Sequence, residues 1–417
     1  MQLLINGGKA PQGTIDIKAA KNSVLPILAC CTMIPHDVTI DNVAPLGDVL
    51  QMIEILKSLG CSVAWHDDSI TINSSRLNDY RVSAQYANKL RASISLLGPL
   101  MARCGAADVA LPGGCNIGAR PVDIHIKGMH KLGATITQGQ QLECRVSSLR
   151  PDKIVLPFPS VGATQNIMML ACGIEGVTTI QGAAQEPEVQ DLGDFVNAMG
   201  GNIKGAGTST IEIEGRTNWQ GGHYTPIGDR IVGSTYIFTS ALGLGGDVTV
   251  QGINCMHIQT TLKILQDMGC TISIGKSWAR VKSNGRLKSF GYIKTRPHPG
   301  FATDMQPQLS VVLALSKGKS ILVEDIFENR FGHVTQLNSM GSDIQIKGNS
   351  IHIQGVSSLQ PSETLQALDL RCGAALVLAG LATEGRSKIS NTQYIDRGYW
   401  MLERDLNSIG CDVQWIG

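Results

Sequence analysis

A short phrase recurs six times along this chain: LKSLGCSVAW, MHKLGATITQ, VNAMGGNIKG, LQDMGCTISI, LNSMGSDIQI and LNSIGCDVQW. Its glycines are Gly60, Gly133, Gly200, Gly269, Gly341 and Gly410, spaced 73, 67, 69, 72 and 69 residues apart. Apolar residues at helical spacing precede each glycine, and an alternating run follows it. That order predicts an amphipathic helix, a glycine C-cap and a strand.

A second landmark recurs at the same period: KNSVLPILACC, RASISLLGPLMA, SVGATQNIMMLACG, RIVGSTYIFTSALG, TDMQPQLSVVLALSKG and LRCGAALVLAGLATEG. Each reads as a buried apolar helix, opening near Lys21, Arg91, Ser160, Arg230, Asp304 and Arg371. β-like runs such as VTIDNV, VTTIQG, VTVQGI and SILVED follow. The expected fold is therefore α/β, with six repeated units of about 70 residues. Six such units suggest two domains of three. A helix N-terminus offers unpaired N–H groups and a partial positive charge, so it holds anions. Lys21, Arg91, Arg230 and Arg371 add full charges there. Cations are disfavoured at helix starts unless an anion is present; the alternative is that these four are incidental.

The chain has 35 basic and 34 acidic residues, a net charge of +1. That balance argues against broad binding to nucleic acid or anionic membranes. The start, MQLLINGGKAPQG, lacks the basic and apolar segments of a signal peptide. No stretch of about 18 apolar residues predicts a membrane span. The 11 cysteines are scattered and odd in number, as for reduced thiols in a cytoplasm. No CxxC or HExxH occurs, so no metal is expected. One cysteine stands apart. In LPGGCNIGARPVDIH, Cys115 follows Gly113 and Gly114 on a bare loop, with Arg120 close in sequence. A nearby cation lowers a thiol pKa and raises its reactivity; the other reading is a small residue on a turn. Cys61, Cys270 and Cys411 follow repeat glycines and read as packing.

The segments AAKNSVLPIL, RASISLLGPL, LPGGCNIGARPVDIH, SVGAT, FATDMQ, ENRF, DLR and YIDRGY lie across all six repeats. In kind and order they resemble the UDP-N-acetylglucosamine 1-carboxyvinyltransferases of the enolpyruvyl transferase family. The resemblance implies a two-domain inside-out α/β barrel, helices within and sheets outside. One domain would be 21–228 with the Cys115 loop, the other 1–20 plus 229–417, with the active site in the cleft between them. The second chain crossing is expected near Thr225–Asp229. It further implies transfer of the enolpyruvyl group of phosphoenolpyruvate to the 3-hydroxyl of UDP-N-acetylglucosamine, with loss of phosphate. That reaction commits the sugar nucleotide to peptidoglycan. No cofactor is implied, and the oligomeric state is left open.

The resemblance also assigns residues. Cys115 would protonate the vinyl carbon, can add covalently to phosphoenolpyruvate, and is the fosfomycin target. Lys21, Asn22, Arg120 and Arg397 would bind phosphoenolpyruvate, whose phosphate and carboxylate need fixed cations. For Lys21 the alternative is a solvated surface lysine, and for Arg397 a turn arginine paired with Asp396. Asp304 would be the general base for the sugar hydroxyl; it also suits an N-cap. Asp369 and Arg371 look like further cleft residues, or else a local ion pair. On the nucleotide side stand Arg91, Arg120, Pro121, Val122, Asp123, Ile124, Ser160, Val161, Gly162 and Ile326. Ser160–Gly162 would offer N–H groups to the diphosphate, or is an ordinary N-cap. Phe158, Gln185 and Val232 depart from the family pattern near the nucleotide. Rival readings are another enolpyruvyl transferase, acting on a shikimate or nucleoside-antibiotic substrate, and a non-catalytic paralogue that binds the sugar nucleotide and regulates. The shikimate enzyme shares the fold without a PGGC cysteine. A paralogue would be expected to lose Lys21, Cys115, Asp304 or Arg397, and all four are present.

Overall fold

The computed structural model describes residues 1–417 except Asn88, Lys89, 112–117, Ala119, Arg120 and 216–217. Contacts divide the chain into two compact lobes. One holds Met1–Lys18 and Gly228–Gly417, the other Ala19–Gly114 and Arg120–Ile227.

Among the described residues the named strands form six four-stranded sheets, one per repeat. The third repeat shows the pattern. Strand Lys153–Val155 pairs in parallel with Gly176–Gln181, which pairs antiparallel with Thr210–Gly215, which in turn pairs antiparallel with Asn202–Lys204. The parallel pair is joined through the helix Val161–Cys172, and the helix Pro187–Ala198 precedes the hairpin. Residues of Thr210–Gly215 alternate between buried and exposed, so this sheet has one wet face. The helix between parallel strands is covered on all sides: every residue from Ala163 to Cys172 is buried. A helix of that kind belongs inside a core. In the 19–227 lobe Leu97–Cys104 packs on Val161–Cys172. In the other lobe Gln306–Ala314 packs on Leu370–Ala382, and both meet Arg230–Thr239.

The six repeat glycines all take left-handed backbone, with φ of 96°, 96°, 93°, 114°, 88° and 85° in chain order. That conformation ends a helix at little cost only in glycine. Three repeats add a clamp across the turn. The side chains of Asn197, Asn338 and Asn407 each bond both the N–H and the carbonyl six residues on, at Ile203, Ile344 and Val413.

Three strands come from outside their own repeat. Gly222–Tyr224 supplies the parallel edge beside Val38–Ile40. Gln12–Asp16 does the same beside Asp247–Gln251. Gln2–Gly7 lies between Gly385–Ser390 and Val413–Ile416.

Two helix starts differ from expectation. At Arg91 the chain makes a 3₁₀ stretch, Arg91–Leu96, and the α-helix begins at Leu97. Likewise Thr303–Met305 is a 3₁₀ turn, so Asp304 is not an N-cap, and the α-helix begins at Gln306. Pro99 and Pro307 explain both. Proline lacks an N–H and is best accommodated in the first turn of a helix, and each of these α-helices starts just ahead of its proline. Among the described residues no helix is long and apolar enough to cross a membrane.

Candidate active site

In the 19–227 lobe, Lys21 is the first residue of the helix Lys21–Cys30. It is not a solvated lysine: it is 9 % exposed, and Asp48, on the first turn of Gly47–Ser58, is 5 % exposed. Lys21 Nζ donates to Asp48 Oδ2 at 2.8 Å. The charge is thus fixed in place at a helix start by a carboxylate 27 positions on. Asn22 beside it is exposed.

Of the residues expected on the nucleotide side, Pro121–Ile124 and Ser160–Gly162 lie at two helix starts. Val122, almost buried, is the N-cap of Asp123–Lys131. Asp123 is exposed and pairs with Lys127 at 3.3 Å. Pro121 is exposed and Ile124 half-buried. Ser160 caps Val161–Cys172, its Oγ accepting from Ala163 N–H at 3.4 Å. Val161 and Gly162 are the first two helical residues, whose N–H groups no turn of the helix can satisfy. Sequence reasoning missed the neighbour of this start, His125, which is 6 % exposed. A side chain at Gly162 would meet its ring, with a Cβ only 3.1 Å from Cε1 and 3.2 Å from Nε2. Burial, helped by the charge of Arg91, lowers the His125 pKa to about 4, so the ring is neutral at pH 7. Phe158 is exposed, and Gln185 half-buried.

In the other lobe Asp304 is gripped from two sides. Its Oδ1 lies 2.7 Å from Arg330 Nη2 and its Oδ2 2.8 Å from Arg371 Nη2. The Arg330 side chain is 4 % exposed, whereas that of Asp304 is 28 % exposed. Desolvation alone would raise this carboxyl's pKa, but Arg371 and Arg330 together hold it far below the usual carboxylate range. Asp369 and Arg371 are not a local ion pair of side chains. Asp369 is an N-cap, its Oδ1 accepting from the backbone N–H of Arg371 at 2.8 Å and of Cys372 at 3.1 Å. The Arg371 guanidinium reaches Asp304 instead.

Arg330 was not singled out in the sequence, though it sits in the ENRF segment. Its Nη1 donates to Thr303 Oγ1 at 3.0 Å, and that hydroxyl donates to Glu324 Oε2 at 2.8 Å. The other oxygen of buried Glu324 accepts from Thr295 Oγ1 and from the N–H groups of Ile326 and Phe327 at 2.9–3.1 Å. One carboxylate thereby shapes the segment that carries Ile326. Asp229 caps Arg230–Thr239 through Ile231 and Val232 N–H, and Val232 packs against the core. Arg397 lies half-buried in the turn after Thr392–Tyr394. Cys115 and Arg120 lie outside the described residues. The other ten cysteines are free thiols, nine of them buried. Burial pushes Cys61, Cys270 and Cys411 up to about 12, which suits packing and not reactivity.

Six α/β repeats, each with its own four-stranded sheet, define the class of fold to which this chain belongs. Residues 5–406 match the family model described as EPSP synthase (3-phosphoshikimate 1-carboxyvinyltransferase). The chain belongs to this family of enolpyruvyl transferases. It is 43 % identical, over 96 % of both chains, to UDP-N-acetylglucosamine 1-carboxyvinyltransferase 1 of Caldanaerobacter subterraneus subsp. tengcongensis. It is 42 % identical, over 100 % of both chains, to UDP-N-acetylglucosamine 1-carboxyvinyltransferase 2 of Clostridium tetani. In fold it is similar to the enolpyruvyl transferase NikO of Streptomyces tendae, with a TM-score of 0.89, 23 % identity and coverage of 99 % and 98 % of the two chains. EPSP synthase of Acinetobacter baumannii gives a TM-score of 0.75, 17 % identity and 99 % coverage of both.

Proposed function

We propose that this chain transfers the enolpyruvyl group of phosphoenolpyruvate to the 3-hydroxyl of UDP-N-acetylglucosamine, with release of phosphate, as the committed cytoplasmic step toward peptidoglycan. The observation that carries this reading is identity above 40 % along nearly the whole chain to proteins named for that transfer.

The reaction is an addition followed by an elimination. Cys115 delivers a proton to the vinyl carbon of phosphoenolpyruvate, leaving the adjacent carbon electrophilic. The sugar hydroxyl attacks that carbon and loses its proton to Asp304. The tetrahedral intermediate then expels phosphate, and the methyl group gives back one proton to restore the double bond. Lys21, Asn22, Arg120 and Arg397 hold the phosphate and carboxylate, so no metal is needed for charge. Arg91, Pro121–Ile124, Ser160–Gly162 and Ile326 hold the nucleotide. The Lys21–Asp48 pair supports the first role, because a lysine held at 2.8 Å by a buried carboxylate is fixed before substrate arrives. The two arginines on Asp304 bear on the second: they make it a weak base, so it takes the hydroxyl proton only as C–O bond formation makes that proton acidic.

Phosphate release is to be measured with phosphoenolpyruvate and UDP-N-acetylglucosamine, with shikimate 3-phosphate and UMP as competing acceptors and Cys115→Ala alongside. Release with the amino-sugar nucleotide alone, lost in the variant, is expected. Release with another acceptor instead overturns the assignment of substrate, and none at all from folded protein overturns the assignment of activity.

A further inference from the structure

Beside the start of Val161–Cys172 a buried amide leaves one imidazole a single choice of tautomer. Asn166, on that helix, is fully buried. The backbone N–H of Gly98 donates to it at 2.9 Å, and because that group can only donate, the atom facing it is Oδ1. The amide nitrogen therefore points the other way. It donates to Ile94 O at 3.0 Å and faces His125 Nδ1 at 3.1 Å. Both of its hydrogens are then used. His125 Nδ1 must accept, since a proton there would set two donors against each other in a buried place. A neutral ring with Nδ1 bare carries its proton on Nε2. The Cε1–Nε2 edge is the one turned toward Gly162. No described residue pairs with Nε2. The helices are locked at this spot, because a Cβ on Gly98 would fall 2.2 Å from Asn166 O.

We propose that Asn166 is a positioning residue that fixes His125 as the Nε2–H tautomer, so that this N–H joins those of Val161 and Gly162 as a third neutral donor to the diphosphate of the nucleotide. The inference rests on the reading that the diphosphate lies at this helix start. It adds a donor that brings no charge, beside a site where Arg91 already supplies one. A third N–H raises specificity for a diphosphate oxygen at a fixed place without raising affinity for anions in general.

The test uses the whole protein with ¹⁵N-labelled histidine. At pH 7 the His125 ring is expected to show a bare Nδ1 and a protonated Nε2, and the Nε2 signal should move when UDP-N-acetylglucosamine is added. In Asn166→Asp, whose side chain cannot donate, Nδ1 is expected to gain a proton. In His125→Phe, calorimetry should show roughly ten- to a hundredfold weaker binding of UDP-N-acetylglucosamine, the range for one hydrogen bond to a charged group. His125→Gln, which restores an N–H donor, should recover part of that loss. A ring protonated on Nδ1 in the unaltered protein overturns the proposal. So does His125→Phe binding the nucleotide as tightly as the unaltered chain, and in that case the proposed function stands. If the unaltered chain does not bind UDP-N-acetylglucosamine, the acceptor reading falls and this inference falls with it.

Discussion

Asp304 sits where two demands conflict. A general base gains from a pKa near the working pH, yet Arg330 and Arg371 hold this carboxyl far below it. If Asp304 is the base of the proposed reaction, its value lies in position as much as in basicity. Asp304→Asn is expected to lower kcat by about 10²–10⁴-fold while calorimetry still finds UDP-N-acetylglucosamine bound; unchanged turnover would remove Asp304 from the mechanism. Arg330→Gln takes away one of the two charges that depress the carboxyl. As the proposed base Asp304 would act only when ionised, so activity would be lost as pH falls through its pKa. The acid limb of kcat/KM should therefore move to higher pH in Arg330→Gln, and a limb that stays put argues against Asp304 as the titrating group. The Lys21–Asp48 pair permits a separate check. Asp48→Ala leaves a buried ammonium without that partner, at a cost of about 3–5 kcal/mol. If phosphoenolpyruvate binds Lys21, it should raise the variant's Tm by more than it raises that of the unaltered chain.

At the scale of elements, the recurring asparagine clamp has a measurable worth. Asn338→Ala and Asn407→Ala each remove two hydrogen bonds that tie a helix end to the next strand. Each is expected to cost about 1–3 kcal/mol in urea unfolding, and a loss near zero would mean water replaces the amide freely. Gly98→Ala should cost about as much or more, by forcing apart two helices that touch there. These elements also mark what the sequence makes legible. The repeat glycines, the apolar helices and the strands after them follow from local patterns, because φ sign, helical period and alternation are decided within about ten residues. The identity of the Asp304 partner is not local. Arg371 is 67 positions away, and Asp369, two positions from it, is the nearer acid in sequence. His125 and Asn166 are 41 apart, in segments that look like plain helix. Asp48, Arg330 and Glu324 were unremarkable charges until the fold brought them beside a second group. The 3₁₀ starts were hidden for a different reason: the apolar run continues through them, and only Pro99 and Pro307 show where the α-helix begins.

At the scale of the whole molecule, two buried rings set a pH dependence of stability. His125 and His333 have pKa values lowered to about 4 and about 3, both mainly by burial, from an ordinary 6.5. In the unfolded chain they take up protons below 6.5, and in the folded chain they refuse them. Their contribution is complete above about 6.5 and falls as the pH drops toward 4, by up to about 1.4 kcal/mol per pH unit for each ring. Urea midpoints measured from pH 7 to 4 should fall, and His125→Gln with His333→Gln should flatten the fall; an equal slope in the double variant would assign it to other groups. The strand exchange described above bears on the chain's own making. Gln2–Gly7 leaves the ribosome long before its partners at Gly385–Ser390 and Val413–Ile416. At about 5–20 residues per second that is a wait of roughly 20–80 s. The 19–227 lobe faces no such delay, since Gly222–Tyr224 completes its first sheet within the lobe. Each newborn molecule therefore carries one finished lobe and one unpaired strand until those partners emerge, and that strand is where a chaperone would have the most to protect.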